Sequence, residues 1–287
     1  MKIKNIKTDL HTHGFCGWST GPGQNFMRLL GDSPHRDLKS VADRCFGEGR
    51  DTLIGMVNFN DARYEGLVNT RRCLPKNYGI YDDHCSVFIG VRRDNLWNFM
   101  IRGQEIPTNV GHVLIIGGNK QVKSRIIEDV FKEAGDMGAI KIADHGLARM
   151  GLAGRIFSKL FHNGNPLSLG RENIIRYKDF FDAIEVCNSN VPELTEETRE
   201  LAAALDLPRI YSSDSHTPPL MFSSHMILSE LDFSNPESAR RSLRKRFDED
   251  YFYYEGCNRK YETLWHGLAV AYNIMRQRVG LVKEEKV

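Results

Sequence analysis

Short apolar runs recur along this chain, and six of them lead into residues that can do chemistry. Ile3 to Leu10 runs into His11 and His13, and Thr52 to Val57 into Asn58, Asn60 and Asp61. Trp97 to Ile101 precedes Glu105, Ala139 to Ala143 precedes Asp144 and His145, Phe181 to Ile184 precedes Glu185 and Asn188, and Pro208 to Tyr211 precedes Asp214 and His216. Runs this short fit strands buried on both faces. Helical spacing lies between several of them. Ser124 to Ala134 carries Ile126, Ile127, Val130 and Phe131 on one stripe. Thr195 to Leu205 has Glu196 and Glu197 in its first turn and Pro208 beyond its end, and Ser234 to Phe247 has Ser234 placed to cap it and Pro236 to open it. Strand alternating with helix predicts an α/β fold with a parallel sheet. A doubly wound open sheet gathers its functional residues from few strands near one switch point. Contributions from six segments instead predict a closed or nearly closed barrel with polar groups at its mouth.

A chain of 287 residues can bury one large core. It reads as a single domain over 1–287, with an insertion at about 146–178 and a helical extension at about 255–287, where Thr263 to Val279 has amphipathic spacing. The insertion follows His145 directly and carries Arg149, Arg155, Lys159, Arg171 and Arg176. It reads either as a lid that meets an anionic substrate or as a solvated excursion. The 39 basic and 37 acidic residues nearly balance, so there is no global pull toward nucleic acid or membrane. No apolar stretch approaches the length that crosses a bilayer, and Met1 to Lys7 is too polar for a signal peptide. The six cysteines form no C-x-x-C pair; scattered thiols predict a reduced, cytoplasmic protein. The run Arg240 to Arg246 is read as the solvated face of a helix, and Tyr251 to Tyr254 as an edge strand or core packing. His35, His84, His162, His225 and His266 are read as ordinary surface or core histidines.

His11 and His13 concentrate the chemical signal. Residues two apart in an extended segment point the same way, and imidazole is the commonest side-chain metal ligand. The distant company is Glu105, His112, His145, Asp214 and His216, a set suited to a hydrolytic metal cluster. A carboxylate such as Glu105 can bridge two cations about 3.5–4 Å apart. Mixed imidazole and carboxylate ligation favours Zn²⁺, Mn²⁺ or Fe²⁺ over the oxygen-seeking Mg²⁺ and Ca²⁺.

These motifs resemble, in order, those of the PHP (polymerase and histidinol phosphatase) superfamily. They are Asp9-Leu10-His11-Thr12-His13, Gly103-Gln104-Glu105-Ile106, Ile142-Ala143-Asp144-His145, Ile184-Glu185-Val186-Cys187-Asn188 and Ser213-Asp214-Ser215-His216. The resemblance runs from about residue 1 to about residue 230 and leaves the insertion unmatched. It implies a distorted (β/α)7 TIM-like barrel. It implies one metal on His11, His13, Glu105 and Asp214, and a second sharing Glu105 and adding His112 and His145. Asp9 would orient a ligand histidine, Glu105 and Asp214 would tune the metals, and His216 would meet the nucleophile, the phosphate or a weakly held third ion. Trp18 and Phe59 stand where the family places other ligands of a third metal, so two ions are expected rather than three. The implied activity is hydrolysis of a phosphate monoester or diester, in a small phosphorylated molecule or an oligonucleotide, by water activated between two cations. Two rival readings are a decayed, non-catalytic binding module and an amidohydrolase-type C–N hydrolase.

Overall fold

The structure, a computed structural model, describes residues 1–13, 38–57, 62–148, 166–189, 195–215, 221–249 and 251–255. The barrel is built from β1 (Lys2–Thr12), β2 (Thr52–Met56), β5 (Leu96–Thr108), β6 (Gly111–Ile116), β7 (Ile140–Ala143), β8 (Ala183–Asn188) and β9 (Arg209–Ser212), hydrogen-bonded in that order. Just beyond β9, Ser215 pairs in parallel with Thr12, and the His13 N–H donates to the Ser215 carbonyl at 2.8 Å. This contact brings the two ends of the sheet together, so seven strands form a nearly closed, distorted TIM-like barrel.

The distortion lies in β6. It runs antiparallel to both β5 and β7, whereas every other neighbouring pair in the barrel is parallel. The expected all-parallel alternation therefore fails between Trp97 and Ile116, where a hairpin replaces a strand–helix–strand unit. Its turn needs Gly111, whose φ is +139°, and Thr108 Oγ1 donates to the Gly111 carbonyl at 2.6 Å. A Cβ on Gly111 would stand 2.4 Å from the Leu169 nitrogen, so the turn also packs too tightly for any side chain. Outside the barrel, β3 (Tyr78–Tyr81) and β4 (Phe88–Arg93) extend the first half of β5, while β10 (His225–Asp232) and β11 (Phe252–Tyr254) extend β1. All of these added pairings are antiparallel, which the sequence reading did not foresee beyond an edge strand at β11.

Both faces of the barrel strands are covered. On β2, Leu53 joins the main core, whereas Ile54 and Met56 join a second core with Leu38, Val41, Cys45 and Phe46 of α1 (Leu38–Phe46) and Tyr64, Leu67 and Val68 of α2 (Ala62–Asn69). That is why the strand reads as an unbroken apolar run. The helix α3 (Ile127–Asp136) buries Ile127, Val130, Phe131 and Ala134, and begins three residues later than the Ser124 start expected from spacing. Two further helices are α4 (Gly170–Arg176) and α5 (Thr195–Leu205), the latter with the expected bounds. The last, α6 (Pro236–Phe247), opens on Pro236, but its cap is Asn235 rather than Ser234. The Asn235 side chain accepts from the Ser238 N–H at 2.8 Å.

Arg241 and Lys245 of α6 are exposed as expected, but Arg240, Arg244 and Arg246 are not part of a solvated face. Arg240 donates to the Gly117 carbonyl at 2.9 Å, and Arg244 to the Gly138 and Ala139 carbonyls and to Asp182. Arg246 reaches the Glu230 carbonyl at 2.8 Å. Arg240 and Arg244 thus satisfy backbone acceptors where β6 ends and just before β7 begins, at the end of the barrel opposite its mouth, and Arg246 satisfies one within β10. Most of the expected insertion (149–165) and all of 256–287 lie outside the described residues, as does the helix expected from Thr263 to Val279. Among the described residues no helix is long and apolar enough to cross a membrane.

Gly55 marks the tightest strand contact. A Cβ there would lie 2.1 Å from the Leu10 carbonyl oxygen, a backbone atom that cannot step aside. Gly55→Ala is expected to cost at least about 3 kcal/mol in urea unfolding. Gly66→Ala, within α2 and with nothing within 4 Å of the added methyl, is expected to stabilise by about 0.5–1 kcal/mol. Equal effects of the two changes would refute the packing assigned to β1 and β2.

Candidate metal centre

Seven of the eight side chains at the barrel mouth were singled out from their motifs, and the strands deliver them to one place. His11 and His13 come from the end of β1, Glu105 and His112 from the β5–β6 hairpin, Asp144 and His145 from the end of β7, Glu185 from β8, and Asp214 from just beyond β9. In the hairpin His112 lies opposite Pro107, so it shares a face with Glu105 two residues away. All eight are buried or nearly so. His145, at 12% side-chain exposure, and Asp214, at 9%, are the most open, so the cluster meets solvent on their side.

The ring nitrogens divide into two directions. His11 Nε2 stands 3.3 Å from His13 Nε2, 3.4 Å from Asp214 Oδ1 and 4.0 Å from Glu105 Oε2. His13 Nε2 lies 3.2 Å from both Asp214 Oδ1 and Glu105 Oε2. A tetrahedral ion with bonds of about 2.0–2.1 Å separates its ligand atoms by roughly 3.3 Å. His11, His13 and Asp214 match that spacing on every edge and form one ligand group, which Glu105 Oε2 approaches from the His13 side. The other Glu105 oxygen, Oε1, contacts His112 Nδ1 and lies 3.5 Å from His145 Nε2. The two oxygens of Glu105 thus face two different groups of nitrogens, as a carboxylate between two cations must. The donor set, imidazole plus carboxylate, fits a divalent transition ion.

Asp144 also falls within ligand distance of His11, Glu105 and His145. Its carboxylate, however, faces the Nδ1 atoms of His11 and His145, at 3.2 and 3.4 Å, on the edges turned away from the Nε2 atoms. Glu185 stands on that same rear side: Oε1 is 3.0 Å from His11 Nδ1, and Oε2 is 3.3 Å from His145 Nδ1. Ser212 donates to Glu185 Oε1, and the Asn188 side-chain amide to Oε2 at 3.1 Å. Asp144 and Ser212 both fall in segments that the sequence points to, but neither has a role assigned there. Their contacts join strands far apart in the chain, which no local signal announces.

Asp9 corrects an expectation. It touches no histidine within hydrogen-bonding distance. Its Oδ1 accepts the Ser213 N–H at 3.0 Å, and its Oδ2 accepts the Ser213 hydroxyl at 2.6 Å and the Phe222 N–H at 2.9 Å. It anchors the backbone on both flanks of the segment that carries Asp214. Burial raises the Asp9 carboxyl to about 6, against the lowering effect of those three donors. His145 and Asp214 both have left-handed backbones, at φ +46° and +48°. Such strain in non-glycine residues persists only where surrounding contacts hold it.

Electrostatics bind the cluster together. Burial opposes charge on His11, but Asp144, Asp214 and Glu185 outweigh it and hold the imidazole well above its ordinary pKa. His145 is raised in the same way, chiefly by Asp144 and by hydrogen bonding to Glu105 and Glu185. Burial favours protonated Glu105, yet His112, His13 and His145 keep it well below the usual carboxylate range. Asp144 is pushed by burial to about 6. His216, Trp18, Phe59, Asn58, Asn60 and Asp61 lie outside the described residues, as do Cys16, His35, His162 and His266.

No protein-family model and no curated protein matches the sequence significantly. Among solved structures, the fold is shared with PsfC from Pseudomonas syringae: TM-score 0.52, 12% identity, covering 96% of this chain and 100% of that one. A two-domain protein from Bacteroides vulgatus containing a predicted PHP-like metal-dependent phosphoesterase is another neighbour, with TM-score 0.46, 15% identity and coverage of 89% and 65%. PfuEndoQ from Pyrococcus furiosus, a lesion-specific endonuclease, follows at TM-score 0.46, 13% identity and coverage of 86% and 56%. The chain spans less than two thirds of these last two proteins. At 12% identity the likeness to PsfC is one of fold alone.

Two outcomes test the surroundings of the site. Asp9→Ala leaves the Ser213 and Phe222 N–H groups buried without an acceptor and is expected to cost about 2–4 kcal/mol in urea unfolding. A cost below 1 kcal/mol would refute its anchoring role. His225 donates through Nδ1 to the Phe222 carbonyl and is depressed from 6.5 to about 4, by burial first and Lys7 second. Its unfolded state therefore binds the extra proton between those values. The stabilising effect is full above about 6.5 and is lost as pH falls toward about 4. Wild type should lose stability relative to His225→Phe between pH 7 and 4; a pH-independent difference would contradict the assignment.

Proposed function

We propose that this chain is a metal-dependent phosphoesterase of the PHP type, acting at a two-cation site in the barrel mouth. The observation that carries the reading is the division of Glu105, with Oε2 toward His13 and His11 and Oε1 toward His112 and His145. One cation would rest on His11, His13, Asp214 and Glu105, the other on Glu105, His112 and His145. Bound there, the cations supply Lewis acidity toward a phosphoryl oxygen and lower the pKa of a water for in-line attack.

The protein's own part is to hold the donors in place and limit water. The rear carboxylate Glu185 hydrogen-bonds Nδ1 of His11 and favours the proton there, which leaves the His11 Nε2 lone pair facing the cations, while His145 Nδ1 meets the Asn188 side-chain amide at 2.9 Å as well as Glu185 and Asp144. The buried setting strengthens attraction between the donors and a cation and excludes bulk solvent from most of the cluster. His216, two residues past Asp214, is assigned to the substrate phosphate or the nucleophile. The substrate is a phosphate monoester or diester, in a small molecule or an oligonucleotide. An amidohydrolase-type site would call for a bridging lysine, and Glu105 stands in that place. The reading as a decayed module rests on Trp18 and Phe59, which the described residues do not include.

Metal-stripped protein is expected to gain thermal stability on adding Mn²⁺ or Zn²⁺, by about 2.7 kcal/mol at a hundredfold excess over Kd. The loaded protein should hydrolyse an aryl phosphate, an aryl phosphodiester or an oligonucleotide. Glu105→Ala should abolish both effects. Loaded protein inert on all three substrates would overturn the hydrolase reading.

A further inference from the structure

Behind the candidate ligands, opposite Glu105, a single carboxylate reaches a histidine of each proposed cation site. Glu185 is fully buried, and its two oxygens have separate duties. Oε1 is 3.0 Å from Nδ1 of His11, a ligand on the His13–Asp214 side. Oε2 accepts the backbone N–H of His145 at 3.3 Å and stands 3.3 Å from its Nδ1, on the His112 side. The left-handed backbone of His145 is therefore held in part by Glu185, while its Nδ1 also meets, at 2.9 Å, the Asn188 amide that donates to Glu185 Oε2. Glu185 is itself held by Ser212 at Oε1 and Asn188 at Oε2. Asp144 approaches both rings too, but with one oxygen, Oδ1, for both.

We infer that Glu185 is a positioning residue that couples the two cation sites from the rear, so that damage to it lowers the affinity of both. This rests on the two-cation reading above and deepens it. A carboxylate bound to one ligand histidine orients that ring and raises its basicity; one that serves a ring on each side transmits its own displacement to both sites. Loss of such a partner commonly weakens metal binding by about 10- to 100-fold.

The test is calorimetric titration of chelator-stripped full-length protein with Zn²⁺, repeated with Co²⁺ while its visible absorption is recorded. Wild type should take up two ions. Glu185→Gln keeps the shape but removes the charge, and both binding steps should weaken by about 10- to 100-fold, with altered Co²⁺ bands at both. His112→Ala, which alters one side only, sets the pattern of single-site damage. Should Glu185→Gln not fold, Ser212→Ala removes one donor to Glu185 and is expected to weaken both steps by a smaller factor. If Glu185→Gln folds and weakens only one step, or neither, the coupling is refuted while the two-cation site stands. If Ser212→Ala has to serve in its place and leaves either step unchanged, the coupling is refuted as well. If wild type takes up no metal, the two-cation reading fails, and the inference falls with it.

Discussion

Charge buried at the barrel mouth is the constraint on which the rest of the structure depends. Glu105, Asp144, Glu185 and Asp214 are packed against His11, His13, His112 and His145, and nearly all are out of contact with water. Such a group is costly unless each charge finds a partner. Protons on the imidazoles are one solution, and the elevated His11 and His145 pKa values express it. A divalent cation is the other. The two compete for the same lone pairs, so metal uptake releases protons and weakens as pH falls. The protein tolerates the cluster because each group is held from several directions, and Glu185 alone meets Ser212, Asn188, His11 and His145.

The topology supplies those directions. In an all-parallel barrel the functional groups come from strand ends and the loops that follow them. Here β6 is reversed, so Glu105 and His112 come from within a hairpin, held by a ladder on both sides. That is a stiffer mount than a loop, and it carries a carboxylate that faces both nitrogen groups. The opposite wall is less rigid by construction. Asp214 sits past the end of β9, and its place depends on the Thr12–Ser215 bridge and on the Asp9 anchor. Closing the barrel and building the site are thus one event: the contact that joins β9 to β1 also sets Asp214 beside His11 and His13.

Much of this was legible in the sequence, and the failures have physical causes. The barrel and the convergence of His11, His13, Glu105, His145 and Asp214 follow from apolar runs that end in polar groups, whereas His112 precedes its run and stands at the start of β6. The reversed β6 was missed because a buried strand reads the same in either direction. Asn109, Val110 and Gly111 between two apolar runs were the available hairpin signal. The role that the resemblance implies for Asp9 fails in this chain, where the register slips between Asp9 and Thr12 and the carboxylate meets Ser213 and Phe222 instead. The arginines of α6 looked solvated because nothing local shows that Gly117, Gly138 and Ala139 present carbonyls to that helix.

The strain at His145 and Asp214 completes the picture. Both lie on the more exposed side of the cluster, and both adopt a left-handed backbone, uncommon outside glycine although Asp and His enter it more readily than most side chains. Neither would hold that conformation alone. His145 is tied through its N–H to Glu185, and Asp214 follows Ser213, which Asp9 grips twice. The most strained donors are thus braced by the most deeply buried carboxylates. Stability is given up at the face that a substrate would approach and recovered in the interior behind it, which is where preorganised sites place their support.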